Sequence, residues 1–173
     1  MTSNHILEKR PGTYALWVKL SQTSVIQVGR LGQFVFRPGA YLYFGSAFGS
    51  GGLAARLGRH LRIHDQPRWH IDYLRVVGQV TGYFYTSAPV KLECRWFQAI
   101  RGLPEADIPL PGFGSSDCIA GCQAHLLHFS EETNPTDIGH ILLLLESASS
   151  PYPVSCVLNT ETVQGASHDS NCT

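Results

Sequence analysis

Gly39 to Arg62 reads GAYLYFGSAFGSGGLAARLGRHLR. Its opening, Ala40-Tyr41-Leu42-Tyr43-Phe44, alternates and reads as a strand. The chain breaks at Gly45-Ser46-Ala47, passes a loop holding Gly49, Gly51 and Gly52, and enters a helical pattern at Leu53. Leu53, Leu57 and Leu61 recur every four residues and share one helix face. Arg56 and His60 have the same spacing and project together on a neighbouring face. The product is a tyrosine at a strand end, a loop, and a helix whose cations can point back at that tyrosine. A phosphate-directed site needs those parts. Solvated arginines on an ordinary strand-loop-helix are the other reading of the same stretch.

Working outward, Pro11-Gly12 is a turn, and Thr13–Leu20 (TYALWVKL) and Val25–Val28 read as strands. Gly29 and Gly32 punctuate, so these two strands are expected to neighbour each other in an antiparallel meander. Trp69–Leu74 fits either a short helix or an extended segment. Val80–Thr86 is strand-like, Val90–Arg101 is helical, Leu103–Gly114 is a Pro/Gly-rich loop, and Ala124–Phe129 is expected as the last strand. Asp137–Glu146 reads as a terminal helix. Three strands followed by a helix predict an α+β domain, a small antiparallel sheet flanked by helices. Its expected extent is residues 10–147, with residues 148–173, rich in Ser, Thr, Asn and Pro, as a disordered, flexible tail.

The chain has 173 residues, 43% hydrophobic, enough for one domain with a real core. A net charge of +0 gives no global electrostatic case for nucleic acid. The charge is uneven, however: Arg56, Arg59, Arg62 and Arg68, with His60, His64 and His70, face only Asp65 and Asp72. The start, MTSNHILEKRPG, lacks a signal-peptide core, and no run approaches a membrane span, so a cytoplasmic protein is expected. Five cysteines without a secretory signal argue against a disulfide framework.

GTY at Gly12–Tyr14, YFG at Tyr43–Gly45, and a following helix with Arg56 and His60 resemble the GIY-YIG nuclease superfamily. VGRLG at Val28–Gly32, GSAFGSGGLAARLGRHLR at Gly45–Arg62, WHIDYL at Trp69–Leu74, and GFGSSDC with a following HLLHF are similar to one branch. That branch occurs as stand-alone proteins and as a domain fused to endonuclease III in archaea. Thr13 and Phe44 stand where the motif has isoleucine, no lysine lies near Arg56, and Tyr14 and Tyr43 are farther apart than in typical members. The longer separation implies an extra hairpin built around Val25–Gly32. The resemblance implies a metal-dependent endonuclease hydrolysing DNA, with a place in repair drawn only from the fusion. It implies Tyr14 and Tyr43 as paired phenols, Arg56 as a guanidinium fork for phosphate, and His60 as a proton shuttle or orienting group. It implies Glu93 as the ligand of Mg²⁺ or another divalent cation. Arg59, Arg62 and Arg68 are the expected nucleic-acid contacts. The alternative is a nucleic-acid-binding or structure-sensing module of the same fold without efficient cleavage.

Cys118, Cys122 and His125 form a second constellation, with Cys94 or His70 available as a fourth ligand. Cys-x-x-x-Cys-x-x-His is a weak zinc spacing, so the expectation here is buried free cysteines beside a structural histidine. A further reading adds Ser116, Asp117 and His125 to the active cleft. His70 and Asp72 share a face if their segment is extended and diverge if it is helical.

Overall fold

A computed structural model describes residues 9–148 and 150–158. Strand β1 (Thr13–Leu20) is buried at every position but one, because it runs through the middle of a sheet covered on both faces. That is why TYALWVKL is almost continuously apolar. On one face Tyr14, Leu16, Val18 and Leu20 join one core; on the other, Ala15 and Trp17 join a second.

Elements β2 (Ser24–Val28) and β3 (Gly32–Phe36) precede β4 (Gly39–Ser46), α1 (Gly52–His60), α2 (His70–Arg75) and β5 (Gln79–Thr86). Next come α3 (Glu93–Ile100), β6 (Leu126–Phe129), α4 (Pro135–Ser147) and β7 (Ser155–Leu158). The main sheet is antiparallel with order β6-β4-β1-β5-β7. Leu53 and Leu57 of α1, Ile71 and Leu74 of α2, and Ile26, Val28 and Phe36 of the β2–β3 hairpin cover the Tyr14 face. Trp96, Phe97 and Ile100 of α3 and Ile138 and Leu142 of α4 cover the other.

The expected pairing of β1 with β2 is not formed. β1 gives one edge to β4 over eight residue pairs and the other to β5. β2 instead pairs with β3 in a separate two-stranded sheet, the extra hairpin expected between the two tyrosines. Its pattern explains this. Val25 and Gln27 face out while Ile26 and Val28 face in, which suits a cover and not a strand buried on both sides. The segment expected as helix or extended resolves as helix α2 from His70 on, with Trp69 extended at its N-cap.

The segment after residue 147 divides. Ser155–Leu158 is edge strand β7, paired with β5 from Gly82↔Leu158 to Tyr85↔Ser155, so Ala124–Phe129 supplies a strand but not the last one. Val154, Cys156 and Leu158 are buried in the second core. Residues 159–173 of the expected tail lie outside the described residues, and the folded unit reaches Leu158. No helix among the described residues is long and apolar enough to cross a membrane.

Burying three such side chains stabilises by several kcal/mol, at roughly 1.5–3 kcal/mol each. A chain of residues 9–147 should therefore melt roughly 10 °C or more below one of residues 9–158 in a thermal scan. Equal melting temperatures would show that β7 adds nothing to the sheet.

Candidate functional site

The start of β1, the end of β4 and the segment entering β6 converge at one end of the sheet. There they frame a cleft of about 510 Å³, lined by Tyr14, Tyr43, Arg56, Arg68, His70 and Glu93 among others. Register places the tyrosines. Tyr14 lies opposite Gly45 and Leu16 opposite Tyr43, so both phenols share a face, with ring centroids 6.4 Å apart. Gly45 is required there, since a Cβ would run into the Tyr14 hydroxyl. Thr13 and Phe44 point to the opposite face by strand alternation. Thr13 Oγ1 accepts the Leu92 N–H at 2.9 Å, and Phe44 packs edge-on against Phe97. The two departures from the isoleucine pattern thus support α3 from behind the tyrosines.

His60 stands behind the cleft, fully buried, its Nε2 2.9 Å from the Tyr14 hydroxyl. Its Nδ1 is 3.5 Å from Asp72 Oδ1. Burial would raise the Asp72 pKa, but His60, the Arg68 and Trp69 N–H groups and Arg59 together hold it well below the usual carboxylate range. Burial lowers His60, only partly offset by Asp72, so the ring is neutral near pH 7. With an ionised carboxylate facing Nδ1, the proton resides on Nδ1, and Nε2 accepts from Tyr14. Burial also raises Tyr14 and Tyr43, which Arg56 opposes only in part; both are phenols at neutral pH.

The arginines gather on Trp69. The guanidiniums of Arg56, Arg59 and Arg68 lie 4.3, 4.9 and 5.1 Å from its ring centre. Arg59 Nη2 also donates to Asp72 at 3.2 Å, so its guanidinium braces the carboxylate. Arg56 and Arg68 line the cleft, whereas Arg62 is exposed beyond the end of α1 and does not line it. Glu93, in the first turn of α3, accepts from Ser46 Oγ through Oε1 at 3.3 Å. Its Oε2 is buried without a hydrogen-bond partner among the described residues.

His70 and Asp72 diverge, as a helix requires. Asp72 turns to His60, while His70 Nδ1 accepts the Gly114 N–H at 2.9 Å and its ring lines the cleft. Ser116, Asp117, Cys118 and His125 also line the cleft.

The constellation expected as buried free cysteines beside a structural histidine gathers in space, and its cysteines are free. Cys94, Cys118, Cys122 and His125 bring their ligand atoms within 4.8 Å of one another, a Cys₃His set that could hold a metal ion. Cys94 Sγ is 3.4 Å from Cys118 Sγ and 3.6 Å from His125 Nε2. Local spacing hides the set because α3 delivers Cys94 from outside the loop; Cys94 was one of the two fourth ligands the sequence offered.

Three features escaped the sequence: the pairing of His60 with Asp72, Trp69 as the seat of three guanidiniums, and Gly114 as partner of His70. Asp72 carried a readable signal. An acidic residue three positions after Trp69 takes the Trp69 N–H, one half of a capping box.

An α+β domain with a basic, tyrosine-floored cleft beside a Cys₃His cluster is thus defined by its geometry. The family described as Domain of unknown function DUF123 matches residues 13–144, and the chain belongs to it. No curated protein and no solved structure matches the chain.

The donors around Asp72 have a measurable consequence. Its depressed pKa means that its stabilisation is full above the unfolded carboxylate value and is lost as pH falls through the lower folded value. Asp72→Asn should cost about 3 kcal/mol in urea unfolding at pH 7, the scale for breaking a buried pair. The gap to wild type should narrow as pH drops below about 4. A gap that stays constant down to pH 2.5 would contradict an ionised Asp72 in the fold.

Proposed function

We propose that this protein is a metal-dependent phosphodiester hydrolase of the GIY-YIG type acting on DNA. The observation that supports the reading is the meeting of Tyr14, Arg56 and Glu93, from a strand and two helices, on one cleft, with the His60–Asp72 pair behind Tyr14. A role in repair remains tied to the archaeal fusions of similar proteins.

In this reading a water molecule in the cleft gives its proton to the Tyr14 oxygen as the Tyr14 hydroxyl proton passes to His60 Nε2. Asp72 stabilises the imidazolium that forms, so the buried phenol never has to hold a full negative charge. The hydroxide oxygen attacks phosphorus, the P–O ester bond breaks, and its electron pair leaves on the ester oxygen. Arg56 offers two parallel donors to the phosphoryl oxygens as charge grows on them. Arg68 adds positive charge at the mouth. Glu93 fits a hard divalent cation: its second oxygen is buried with no hydrogen-bond partner among the described residues, a carboxyl acceptor in a basic site. Mg²⁺ held there would supply Lewis-acid polarisation of the phosphoryl group and charge for the leaving oxygen.

We assign zinc to the Cys₃His cluster. Three soft cysteine sulfurs and one borderline imidazole nitrogen suit zinc, and four ligands make a closed, structural set. The ion would tie the 112–125 loop to the first turn of α3, next to Glu93.

Two experiments test these assignments. Arg56→Lys should bind a DNA duplex nearly as well as wild type, because counterion release follows charge. Its single-turnover cleavage at saturating Mg²⁺ should fall by ~10²–10³-fold, the scale for losing one preorganised donor. Arg62→Lys is the control, and Glu93→Ala should abolish Mg²⁺-dependent cleavage. Wild-type binding without any Mg²⁺-dependent cleavage would leave the structure-sensing module as the function. Protein purified without added metal should carry one zinc per chain by elemental analysis. Cys122→Ser should lose that zinc and melt lower, since structural metal contributes folding free energy. A zinc-free wild-type protein with unchanged melting would remove the assignment.

A further inference from the structure

His70 is one of the cleft side chains that the proposed reaction leaves unused. Its placement is unusually constrained. It opens α2, directly after Trp69, and its ring packs against Phe113 with centroids 5.5 Å apart. Nδ1 accepts a hydrogen bond from the backbone N–H of Gly114 at 2.9 Å. A main-chain N–H can only donate, so the Nδ1 lone pair is engaged and cannot carry a proton. In the neutral ring the proton must then reside on Nε2. No hydrogen bond from Nε2 to a protein group is formed among the described residues, and the residue lines the cleft.

Gly114 is itself fixed. Its φ is +73°, and a Cβ there would meet Tyr43 Cε2 at 2.7 Å and His125 Cβ at 3.3 Å. The N–H that sets the His70 tautomer is therefore held between a cleft tyrosine and a residue of the Cys₃His cluster. Burial lowers the His70 pKa, in keeping with a ring that stays neutral.

The contrast with His60 is informative. His60 has its acceptor nitrogen toward Tyr14, whereas His70 has its acceptor nitrogen toward the backbone. The two rings are locked in opposite tautomers, one a proton acceptor behind the cleft and the other a neutral donor within it.

We propose that His70 is a catalytic residue whose Nε2–H donates a hydrogen bond to a phosphoryl oxygen of the bound substrate. The proposal rests on the phosphodiesterase reading above. A neutral donor here adds directional stabilisation to a developing oxyanion without adding charge, complementing Arg56. No proton is transferred, so His70 ends the step as it began.

The test separates this role from simple support of the loop. In His70→Asn the side-chain oxygen can still accept from Gly114, but no atom occupies the Nε2 position. In His70→Gln the amide nitrogen can reach that position. We expect His70→Asn to melt like wild type and to bind duplex DNA within about threefold, with single-turnover cleavage reduced by ~10²-fold. His70→Gln should recover much of the rate. A His70→Asn enzyme as fast as wild type would overturn the proposal. A second measurement needs neither a variant nor cleavage. In ¹⁵N-histidine NMR of the wild-type chain, His70 should show a protonated Nε2 and a bare Nδ1. Its Nε2 resonance should shift on saturation with a phosphorothioate-linked duplex. A proton on Nδ1, or an Nε2 unmoved at saturation, would overturn the proposal even if the protein cleaves DNA. A shifted Nε2 in a protein that never cleaves would keep His70 as a phosphate donor while the hydrolase reading fails.

Discussion

The register of β1 against β4 is the constraint on which the rest depends. Pairing Tyr14 with Gly45 and Leu16 with Tyr43 aligns two phenols on one face and leaves room for the first of them. A slip of β1 by one residue would turn Tyr14 into the opposite core, away from Tyr43, and bring Thr13 to the cleft. It would also part the Tyr14 hydroxyl from His60. The register is held by burial on both faces, since every side chain of β1 but one has a packed position to lose.

A second layer of constraint comes from Asp72. One carboxylate takes Arg59 and two backbone N–H groups, and faces His60. It thereby joins α1 to the start of α2 and decides which nitrogen of His60 meets Tyr14. Buried charges are tolerated when they are hydrogen-bonded and paired; here Oδ2 accepts from three donors while Oδ1 faces His60 Nδ1 at 3.5 Å. The same carboxylate neutralises part of the positive charge gathered over Trp69, which lets three guanidiniums share one indole.

Much of the fold was legible from period alone. The strand at Gly39–Ser46, the helix of Leu53 and Leu57, and the apolar run of β1 all follow from local alternation or four-residue spacing. The partner of β1 was not, because strand order depends on which edges compete for a doubly buried strand. β7 was missed because SCVL sits in a polar, proline-marked neighbourhood and gains its apolar environment only from β5 and α4. The cleft was legible to the extent that Tyr14, Tyr43, Arg56 and Glu93 belong to recognisable patterns. His60–Asp72 and His70–Gly114 were hidden, and Cys94 was only one of two fourth ligands offered to the 118–125 segment, for one shared reason. Each joins positions on different elements, and the distance that matters is set by packing and not by spacing.

β7 also bears on how the domain is made. Until α3, β6 and α4 have been synthesised, β5 has no partner on its outer side. Its strand, VTGYFYT, carries three consecutive aromatic residues and no charge between Val80 and Thr86. An unpaired edge of that composition is a template for association with another nascent chain. Folding on the ribosome therefore passes through an interval of greatest aggregation risk, ending when Ser155–Leu158 emerges and docks. A chaperone's benefit to this protein would be concentrated in that interval.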